Sequence, residues 1–445
     1  MKHANHKNTI TLTGLACAAS LLLLGGCSTA PKESGEIPAS GNEQQVIPLT
    51  FWYSGGKTAA GVMEEIIQEF NASQNTWQIT GIQQADYDET YMKLQAGIAG
   101  DHAADLALLD ADKSYNLMQK NLLADLESYM ASDPDFDRSD FIPVFFDQCQ
   151  TDGKMFAMPA YGTTQVLYYN QKLMQQAGIQ PETLTTWQAL ADAAKQIQAT
   201  AGADVYGWEP MWGADNLIDM ALSNGGSLLS ADGTTVTIDS NAWVDAWESA
   251  RQWIHDDHTM RIHSGGQGWE YWYSTMDDVL NDRAGGYTGS SGDQADLDFS
   301  KVTALEQPGF GTNPAAPVAR VLQLIMPNSG SKERMDGAYA FLKYFSAPSN
   351  QAKWSIATGY IPVRQSTLDD ATYKAHTAKN PNALVPFTQA MHASPLAIDP
   401  TGGKIYDALD IAADQVELEN TPARQALQEA CQTAQTALDE VLGTK

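Results

Sequence analysis

Strand-like and helix-like segments alternate near the start of the chain, and this alternation constrains the fold more than any other feature of the sequence. Runs of β-branched, aromatic and apolar residues at 48–53, 77–80 and 106–109 predict three short strands. Apolar residues recur at helical spacing over 62–70, and 87–99 is predicted to form a second helix. Strands that alternate with helices build a parallel sheet with right-handed crossovers. The sequence therefore predicts an α/β fold with binding residues at the carboxyl ends of the strands.

A second informative segment, 158–170, changes character halfway along. Small and hydroxyl-bearing residues occupy 160–164, and the β-branched and aromatic run 166–169 predicts a buried strand. Because Pro159 cannot donate to a central ladder, we predict that the strand begins after it. Hydroxyl groups at the mouth of a strand suit the binding of a polar solute, although an ordinary strand with a polar lead-in explains these residues equally well.

The segments 158–170, 177–179 and 186–190 together resemble the first interlobe crossing of family 1 extracellular solute-binding proteins. These proteins are the capture subunits of ABC importers for sugars and related polyols. The resemblance covers nearly the whole mature chain and is nearest to the glycerol-3-phosphate-binding branch. It implies an α/β, two-lobed, type II periplasmic-binding-protein fold with a ligand cleft between the lobes, and a membrane permease as partner.

The length of the chain also favours two lobes, because 445 residues exceed the size at which a single hydrophobic core keeps growing. The resemblance implies an N-terminal lobe built from 46–159 plus 314–350. It implies a C-terminal lobe built from 160–313 plus 351–445. A strand predicted at 321–326 would carry the chain back into the first lobe.

Residues 1–26 have the composition of a signal peptide, with two lysines before a long apolar stretch. The stretch ends in the letters LGGC, which resemble a lipobox whose cysteine, here Cys27, is diacylated and becomes the mature N-terminus. A plain secretory signal with an incidental cysteine is the alternative. The polar residues 27–45 then predict a flexible tether. We expect an extracytoplasmic protein that its lipid anchors to the cell membrane.

The acidic composition excludes a nucleic-acid partner. Without residues 1–26 the chain carries a formal charge of about −30, which nucleic acid and anionic lipid both repel. No apolar run after the signal peptide reaches the roughly 18 residues that span a bilayer. Apart from its lipid, we expect a soluble monomer.

Two cysteines, Cys149 and Cys431, remain after the signal peptide and the lipid-bearing cysteine are set aside. In an exported protein they could form a disulfide. Two separate buried thiols are equally consistent with the sequence, because spacing along the chain does not give the distance between the side chains.

Enzyme signatures are missing from the sequence. Neither an HExxH zinc motif nor a phosphate-binding GxxxxGKS/T loop occurs, and the glycines around Ser290 and Ser291 lack the spacing of a nucleophile elbow. A cell-surface glycosidase would need a pair of facing carboxylates. Asp256 and Asp257 cannot be that pair, because neighbours on a helix point in different directions. We therefore expect neither catalysis nor a cofactor.

Two groups of side chains carry potential metal ligands. His255, His258 and His263 lie at or beyond the end of a predicted helix, and the acidic loop 133–140 lacks the glycine and the closing glutamate of an EF-hand loop. We interpret the first group as a solvated helix end and the second as a solvated loop, and we expect no metal ion.

Aromatic residues are a stronger signal, since eleven tryptophans and seventeen tyrosines exceed what hydrophobic cores usually need. Trp208, Trp212, Trp269 and Trp272 lie in glycine-rich segments that are predicted to be irregular. Aromatic rings can stack on the apolar faces of sugar rings. Trp212 is the best candidate for such a platform, although packing explains each tryptophan taken singly more readily.

The resemblance also implies a set of ligand-binding residues. They are Tyr87, Asp110, Thr163, Ser290 and Tyr360. Ser54 is a further candidate because it follows the first predicted strand, where binding residues gather. Two positions depart from the family: Arg320 replaces a glycine beside the returning strand, and Tyr406 replaces the arginine that receives the phosphate. Lys404 lies two residues before Tyr406. We expect Asp110 and Arg320 to pair with each other when the site is empty.

Loss of the phosphate-receiving arginine argues against a phosphorylated ligand, because a bidentate anion partner is missing. We therefore expect a carbohydrate, either an oligosaccharide or a glycoside, as the solute. Glycerol 3-phosphate or a glycerophosphodiester is the alternative, with Arg320 or Lys404 supplying the positive charge.

The lipobox generates a first prediction. Replacing Cys27 with alanine should move the protein from the membrane fraction to the soluble fraction, because the lipid is the only anchor that the sequence predicts. Cell fractionation and immunoblotting measure the distribution. Ser28→Ala leaves the LGGC letters intact and serves as the control. Unchanged membrane association of the Cys27 variant would contradict the lipoprotein hypothesis.

Overall fold

The structure is a computed structural model that describes residues 46–151, 153–267, 269–328 and 330–443. The signal peptide, Cys27 and the tether, all expected before residue 46, lie outside the described residues. Within the described ranges, no helix combines the length and the apolar character that crossing a membrane requires.

The described residues form the following elements, apart from short 3₁₀ and π turns. The strands are β1 (Ile47–Tyr53), β2 (Trp77–Gln83), β3 (Leu106–Asp110), β4 (Gln150–Thr151), β5 (Lys154–Met155), β6 (Met158–Asn170), β7 (Glu209–Pro210), β8 (Gly286–Ser290), β9 (Val302–Leu305), β10 (Val318–Ile325) and β11 (Ser394–Pro395). The helices are α1 (Lys57–Ser73), α2 (Tyr87–Ala99), α3 (Ala111–Gln119), α4 (Glu127–Ser132), α5 (Pro143–Phe146), α6 (Gln171–Ala177), α7 (Trp187–Ala201), α8 (Ala214–Ser223), α9 (Asn241–Arg251), α10 (Glu270–Leu280), α11 (Lys332–Phe345), α12 (Pro348–Thr358), α13 (Ala371–Lys379), α14 (Val385–Ala390), α15 (Lys404–Glu417) and α16 (Ala423–Leu442).

Nine strands within the described ranges form one mixed sheet in the order β2-β1-β3-β10-β6-β8-β7, with β11 beside β10 and β9 beside β6. β1 pairs in parallel with β2 and β3, which confirms the parallel arrangement predicted from the alternating pattern. β10 runs antiparallel to β3, with Leu322 opposite Asp110. Because of this register, Asp110 and Arg320 lie at the same edge of the sheet.

β6 spans thirteen residues and contributes to both halves of the sheet. Its first half pairs with β10, where Thr163 lies opposite Arg320. Its second half pairs with β8, where Gln165 lies opposite Ser290, and with β9. One continuous strand therefore joins the two halves of the sheet, and its hydroxyl-bearing residues lie at the junction.

The prediction that this strand begins after Pro159 is wrong, because β6 starts one residue before the proline. The register between β6 and β10 shifts at this point and leaves Ala160 without a partner on β10. Proline is tolerated at such a bulge, where the ladder is already interrupted. The carbonyl oxygen of Ala160 instead accepts a hydrogen bond of 2.8 Å from Gln351 Nε2.

Buried side chains form two large groups on the sheet and a smaller third one. The first core surrounds β1, β3, β10 and the first half of β6. The second core lies among α7, α8, α9, α15 and α16. The third packs beneath α10 against β8 and β9. The chain therefore has the separate hydrophobic cores that two lobes require.

The first core includes Trp354, Ile361 and Val363, although the sequence division assigns 351–445 to the C-terminal lobe. Trp354 packs on Tyr161 of β6, with ring centroids 4.8 Å apart. The division made from the sequence therefore differs from the packing here. We propose that the N-terminal lobe extends to about residue 363, whereas α15 and α16 remain with the second core.

Cys149 and Cys431 are free thiols, which decides between the two alternatives left open by the sequence. Cys149 is buried in the first core, with Sγ 3.6 Å from the carbonyl oxygen of Phe145. Cys431 lies on α16 beside the second core, with Sγ 3.5 Å from the carbonyl oxygen of Val236. The two thiols belong to different cores, so they do not pair.

Close packing around β6 generates a second prediction. A Cβ at Gly162 would overlap the ring of Phe145, which is fully buried. Gly162→Ala should therefore lower the free energy of unfolding by about 1–3 kcal/mol, the usual cost of overpacking a core. Urea denaturation measures this change.

The control for that measurement is Gly61→Ala in α1, where an added Cβ meets open space. Alanine is a better helix former than glycine, so this variant should gain up to about 1 kcal/mol. If Gly162→Ala were as stable as the unmodified protein, the close packing of Phe145 on β6 would be refuted.

Candidate functional site

A cavity of about 500 Å³ opens where β3, β6, β8 and β10 meet. Asp110 at the end of β3, Gln165 in the middle of β6, Ser290 at the end of β8 and Arg320 on β10 all line it. Residues of α8, α10 and α15 form further walls. A concave site of this size with a few convergent polar groups is typical of small-molecule binding.

The cavity brings together eight of the ten ligand-binding residues expected from the sequence. They are Tyr87, Asp110, Thr163, Trp212, Ser290, Arg320, Tyr360 and Tyr406. Ser54 and Lys404 do not line the cavity. Ser54 is only 4% exposed, and the Lys404 side chain is exposed with Nζ 3.5 Å from Glu440. Ser54 follows β1 and Lys404 begins α15. These positions in the chain did not determine the direction of either side chain.

Hydroxyl groups from the two halves of the sheet meet on the floor of the cavity. Thr163 Oγ1 lies 3.0 Å from Ser290 Oγ and 3.3 Å from Ser291 Oγ. The antiparallel register of β6 and β8 produces this contact, since Gln165 is opposite Ser290. Gln165 Nε2 in turn donates to Asp215 Oδ2 at 3.3 Å.

Tyrosines form the part of the lining near the first core. The hydroxyl oxygens of Tyr87 and Tyr161 are 3.0 Å apart, and the rings of Tyr161 and Tyr360 are 4.5 Å apart between centroids. Burial raises the pKa of Tyr87 and of Tyr360. Both hydroxyls therefore stay protonated and can donate hydrogen bonds.

The expected pair between Asp110 and Arg320 does not form. Asp110 Oδ2 contacts Lys113 Nζ at 3.0 Å, because the lysine lies one turn further along α3, and Arg320 instead pairs with Asp215 at 2.6 Å. Burial raises the pKa of Asp110 to about 6, although Lys113 opposes the rise. The sequence placed both side chains correctly at the cavity but not their partners.

Arg320 also lies near a second, deeper carboxylate. Asp219 is fully buried on α8 and accepts hydrogen bonds from Val318 N at 2.9 Å and from Gln307 Nε2 at 2.6 Å. Burial raises the pKa of Asp219 to about 7, and the positive charge of Arg320 opposes the rise. The guanidinium is therefore surrounded by carboxylates of its own chain.

Four rings form one side of the cavity, which we call the aromatic wall: Trp212, Trp269, Tyr271 and Trp272. Trp212 and Tyr271 are nearly perpendicular, with centroids 5.0 Å apart and planes at 86°. Trp269 and Trp272 form a similar corner, at 5.5 Å and 87°. Trp212 Nε1 donates to Asp414 Oδ1 at 2.7 Å, which holds the ring at the edge of the cavity.

The tryptophans named from the sequence therefore divide into two kinds. Trp208 is fully buried in the second core, whereas Trp269 is 43% exposed and Trp212 and Trp272 are partly exposed at the cavity. Tyr271 was missed by the sequence analysis. The aromatic run 269–273 on the first turn of α10 is the signal that could have revealed it.

Five aspartates that the sequence analysis did not single out also line the cavity: Asp112, Asp215, Asp293, Asp296 and Asp410. Asp293 accepts hydrogen bonds from Trp272 Nε1 at 2.8 Å and from the Tyr287 hydroxyl at 3.1 Å, and burial raises its pKa well above the ordinary value. Burial and then the neighbouring Asp215 raise the pKa of Asp410 to about 7. In so acidic a chain no motif distinguishes these residues from surface aspartates.

A buried ion network ties together the segments that carry the aromatic wall. Arg261 bonds both Glu209, just before the Trp212 segment, and Asp278 on α10. His263 Nε2 lies 2.9 Å from Asp278 Oδ2. Ligand atoms of Glu209, His263 and Asp278 lie within 4.8 Å of one another, as a metal site requires. Arg261 and Arg283 already pair with these two carboxylates, so the group is explained as an ion network.

The other potential metal ligands contact groups of the same chain. His255 Nε2 lies 2.9 Å from the carbonyl oxygen of Val416. In the acidic loop 133–140, Asp133 pairs with Lys343 at 2.7 Å and Asp140 pairs with Arg364 at 2.6 Å. These contacts give both groups a structural explanation.

The family comparison decides the class of protein. The sequence profile described as bacterial extracellular solute-binding protein matches residues 65–382, more than half of the chain. The chain belongs to this family. It is therefore an extracytoplasmic solute-binding protein, the substrate-binding component of an ABC transporter and not an enzyme.

This solute-binding protein is similar to several characterised ones. The sn-glycerol-3-phosphate-binding periplasmic protein UgpB of Escherichia coli K12 is 25% identical over 386 residues, which cover 80% of this chain and 83% of UgpB. The GacH receptor of Streptomyces glaucescens has a TM-score of 0.78 at 19% identity, covering 89% and 99% of the two chains. UgpB from Mycobacterium tuberculosis has a TM-score of 0.78 at 22% identity, also covering 89% and 99%.

These structural likenesses confirm the α/β, two-lobed, type II periplasmic-binding-protein fold that the sequence predicted. The cavity of the solute-binding protein lies on the strand that passes between the two cores. Both cores therefore supply groups to the same candidate site.

Raised acid pKa values generate a third prediction. Asp110, Asp219 and Glu209 have pKa values of about 6, 7 and 8 in the folded chain, mainly because of burial. Between its ordinary and its raised pKa, each acid holds more protons folded than unfolded. The free energy of unfolding should therefore fall as the pH rises from about 5 to about 8. Urea denaturation across this range measures the trend.

Asp219→Asn tests whether a named residue causes that trend. The variant lacks one of the titrating acids, so its stability should depend less steeply on pH below about 7. Asp192→Asn, on the exposed surface of α7, should keep the original slope. An unchanged slope in the Asp219 variant would refute the assignment.

Proposed function

We propose that the protein captures a carbohydrate, either an oligosaccharide or a glycoside, in this cavity and delivers it to the membrane permease of an ABC importer. The observation that carries the proposal is the aromatic wall beside a floor of hydroxyl and carboxylate groups. Aromatic faces stack on the C–H faces of sugar rings. Hydroxyls and carboxylates bind the sugar hydroxyls at the ring edges.

The charge of the lining supports a carbohydrate over a phosphate ester. Six aspartates and one arginine line the cavity within the described ranges, so carboxyl groups outnumber cations there, although burial raises the pKa of Asp293 and of Asp410 and so favours their neutral forms. Arg320 is already paired with Asp215 at 2.6 Å. A phosphate would have to displace that carboxylate and then lie among the remaining ones, which costs free energy.

Ligands of the related structures are consistent with a sugar. The GacH receptor was solved with acarbose and an acarbose homologue, and the Listeria monocytogenes protein Lmo0181 was solved with cycloalternan. Lmo0181 has a TM-score of 0.77 at 21% identity, covering 90% of this chain and all of that one. Identity at this level supports the class of solute and not one particular sugar.

Glycerol 3-phosphate or a glycerophosphodiester is the second candidate. The Escherichia coli relative is named for sn-glycerol 3-phosphate, and the Mycobacterium tuberculosis structure contains glycerophosphocholine. Arg320 is the cation in the cavity lining that could receive a phosphate within the described residues. Lys404, the other expected cation, does not reach the cavity.

Transport also requires the two lobes and the anchor. We infer that solute binding closes the lobes about β6 and the neighbouring strands, as hinge closure does around ligands in such proteins. Diacylation of Cys27 would hold the monomer near its permease. Both inferences follow from the family resemblance and the sequence of the first 45 residues.

A screen by thermal shift tests the proposed function. A solute at one hundred times its dissociation constant stabilises the folded protein by roughly 2.7 kcal/mol. Neutral oligosaccharides and glycosides should raise the melting temperature if the proposal is correct, whereas a shift with only glycerol 3-phosphate or a glycerophosphodiester would select the second candidate.

The aromatic wall generates a fourth prediction. Trp212→Ala should weaken binding of the solute found in the screen by about 1–3 kcal/mol, the range for a nucleic-acid base stacked on an aromatic ring, which is the nearest analogue of a stacked sugar. Isothermal titration calorimetry measures the loss. Trp77→Ala is the control, since Trp77 packs beside the first core with Nε1 3.0 Å from the carbonyl oxygen of Glu333. Equal affinity losses in both variants would remove Trp212 from the binding site.

The Arg320–Asp215 pair generates a fifth prediction, which separates the two candidates. Arg320→Met should abolish the binding of a phosphodiester, because the buried anion loses its partner. Asp215→Asn frees the guanidinium and should strengthen phosphodiester binding. A neutral sugar should respond less to Arg320→Met than to Asp110→Asn. Titrations that show no change for any of the three variants would place the solute outside this cavity.

A further inference from the structure

Carboxylates outnumber cations in the lining of the cavity. Six lining aspartates face one lining arginine in the described part of the chain. Asp215 occupies that arginine, and Lys113, just outside the lining, contacts Asp110 and Asp88. The cations near the cavity therefore already form ion pairs with a few of the carboxylates.

Two of the four N–H and O–H groups of the aromatic wall, and the hydroxyl of the neighbouring Tyr406, already donate hydrogen bonds within the described residues. Trp212 Nε1 donates to Asp414 and Trp272 Nε1 donates to Asp293. The Tyr406 hydroxyl donates to the carbonyl oxygen of Ala397 at 2.7 Å. These three groups are therefore not available as donors to a solute, whereas the hydroxyls of Tyr87 and Tyr360 at the other side of the cavity are.

In contrast to these three donors, several carboxylate oxygens of the lining are available as hydrogen-bond acceptors. Asp296 and Asp410 are exposed at the cavity, and Asp112 is partly exposed. In the described part of the chain, no side chain donates a hydrogen bond to these three carboxylates; a backbone N–H of Ala214 bonds Asp410. These three carboxylates therefore favour a solute that donates hydrogen bonds and carries a positive charge.

A buried amide oxygen also favours a solute that donates hydrogen bonds. Gln165 lines the cavity and is 6% exposed. Its Nε2 donates to Asp215, whereas its Oε1 has no hydrogen-bond partner in the described structure. A buried acceptor without a donor destabilises the empty site, and a donor on the solute would satisfy it.

The geometry of the aromatic wall fits a cation as well as a sugar ring. Trp212 with Tyr271, and Trp269 with Trp272, form two nearly perpendicular corners at 86° and 87°. Faces of aromatic rings attract cations through their quadrupoles, and rings in such corners form the cages that bind ammonium groups. The pKa of the Tyr271 hydroxyl is raised first by burial and then by Asp215 and Asp293, which shows that carboxylates lie beside these rings.

We propose that the solute carries a positively charged nitrogen among its hydroxyl groups, and that the aromatic wall with Asp296 and Asp410 recognises this nitrogen. An amino sugar, or a polyol ester with an ammonium group, has this chemistry. A primary ammonium group donates up to three hydrogen bonds and accepts none, which matches the free acceptors of the lining. A quaternary ammonium group donates none and would rely on the aromatic faces and on the charge of the carboxylates. The inference rests on the proposed function, because it takes this cavity as the solute site.

Matched probes test the charge directly. Cellobiose, maltose and lactose are each compared with two analogues, one with an amine and one with an acetamide in place of the hydroxyl beside the anomeric carbon. Glycerophosphocholine and glycerol 3-phosphate form the polyol pair. Thermal shift and then calorimetry at neutral pH, where the Asp410 carboxyl, with its pKa of about 7, is not fully protonated, should show that the charged member of at least one set binds about tenfold more tightly than its uncharged or anionic counterparts.

Charge variants then locate the nitrogen. Asp410→Asn and Asp296→Asn should each weaken the charged probe roughly fivefold or more and change an uncharged analogue by less than about twofold. Asp192→Asn removes the same charge from the exposed surface of α7 and should leave both affinities unchanged. Equal losses for Asp192→Asn would mean that only the overall charge of the protein matters, which overturns the proposal.

The outcomes separate the inference from the function on which it rests. Neutral disaccharides that bind as tightly as their amines would overturn the charged solute and leave carbohydrate capture intact. Binding of glycerophosphocholine alone, weakened by Asp410→Asn, would support the charged nitrogen and overturn the carbohydrate. If no probe binds, both the inference and the proposed function fail for this cavity.

Discussion

The continuous strand β6 is the element on which the rest of the structure depends. Its first half pairs with β10 and its second half with β8 and β9, so its backbone groups are satisfied on both sides of the junction. Buried N–H and C=O groups must be paired, and β6 therefore cannot leave either half of the sheet without loss of stability. The same strand brings Thr163 and Gln165 to the floor of the cavity, between the two cores.

Electrostatic pairing decides what the cavity can bind. The cations nearest to the site are held by carboxylates, Lys113 by Asp110 and Arg320 by Asp215. Burial raises the pKa of Asp219 and of Asp410, and the neighbouring Asp215 raises both further. An acceptor-rich cavity favours hydroxylated solutes, and a solute with its own positive charge suits it better than an anion does.

The aromatic wall is positioned by polar contacts as well as by the packing of Tyr271 and Trp272 against the third core. Trp212 and Trp272 each donate their indole N–H to an aspartate. Behind the wall, Arg261 connects the segment before Trp212 to α10 through two carboxylates. Rings held at their polar edges keep their faces free, which is what stacking on a sugar or contact with a cation requires.

The sequence by itself determined the local elements, because hydrophobic period and turn residues act over a few residues. It predicted the parallel start of the sheet and the place of Asp110 at the end of β3, and its resemblance to a known family implied the role of 158–170 as the crossing. Only the tertiary structure decided the partners across the chain: Asp215 for Arg320, the first core for Trp354, and separate thiols for the two cysteines. These contacts depend on how distant segments of the chain pack against one another. The sequence of a short segment does not specify which distant residues it will contact.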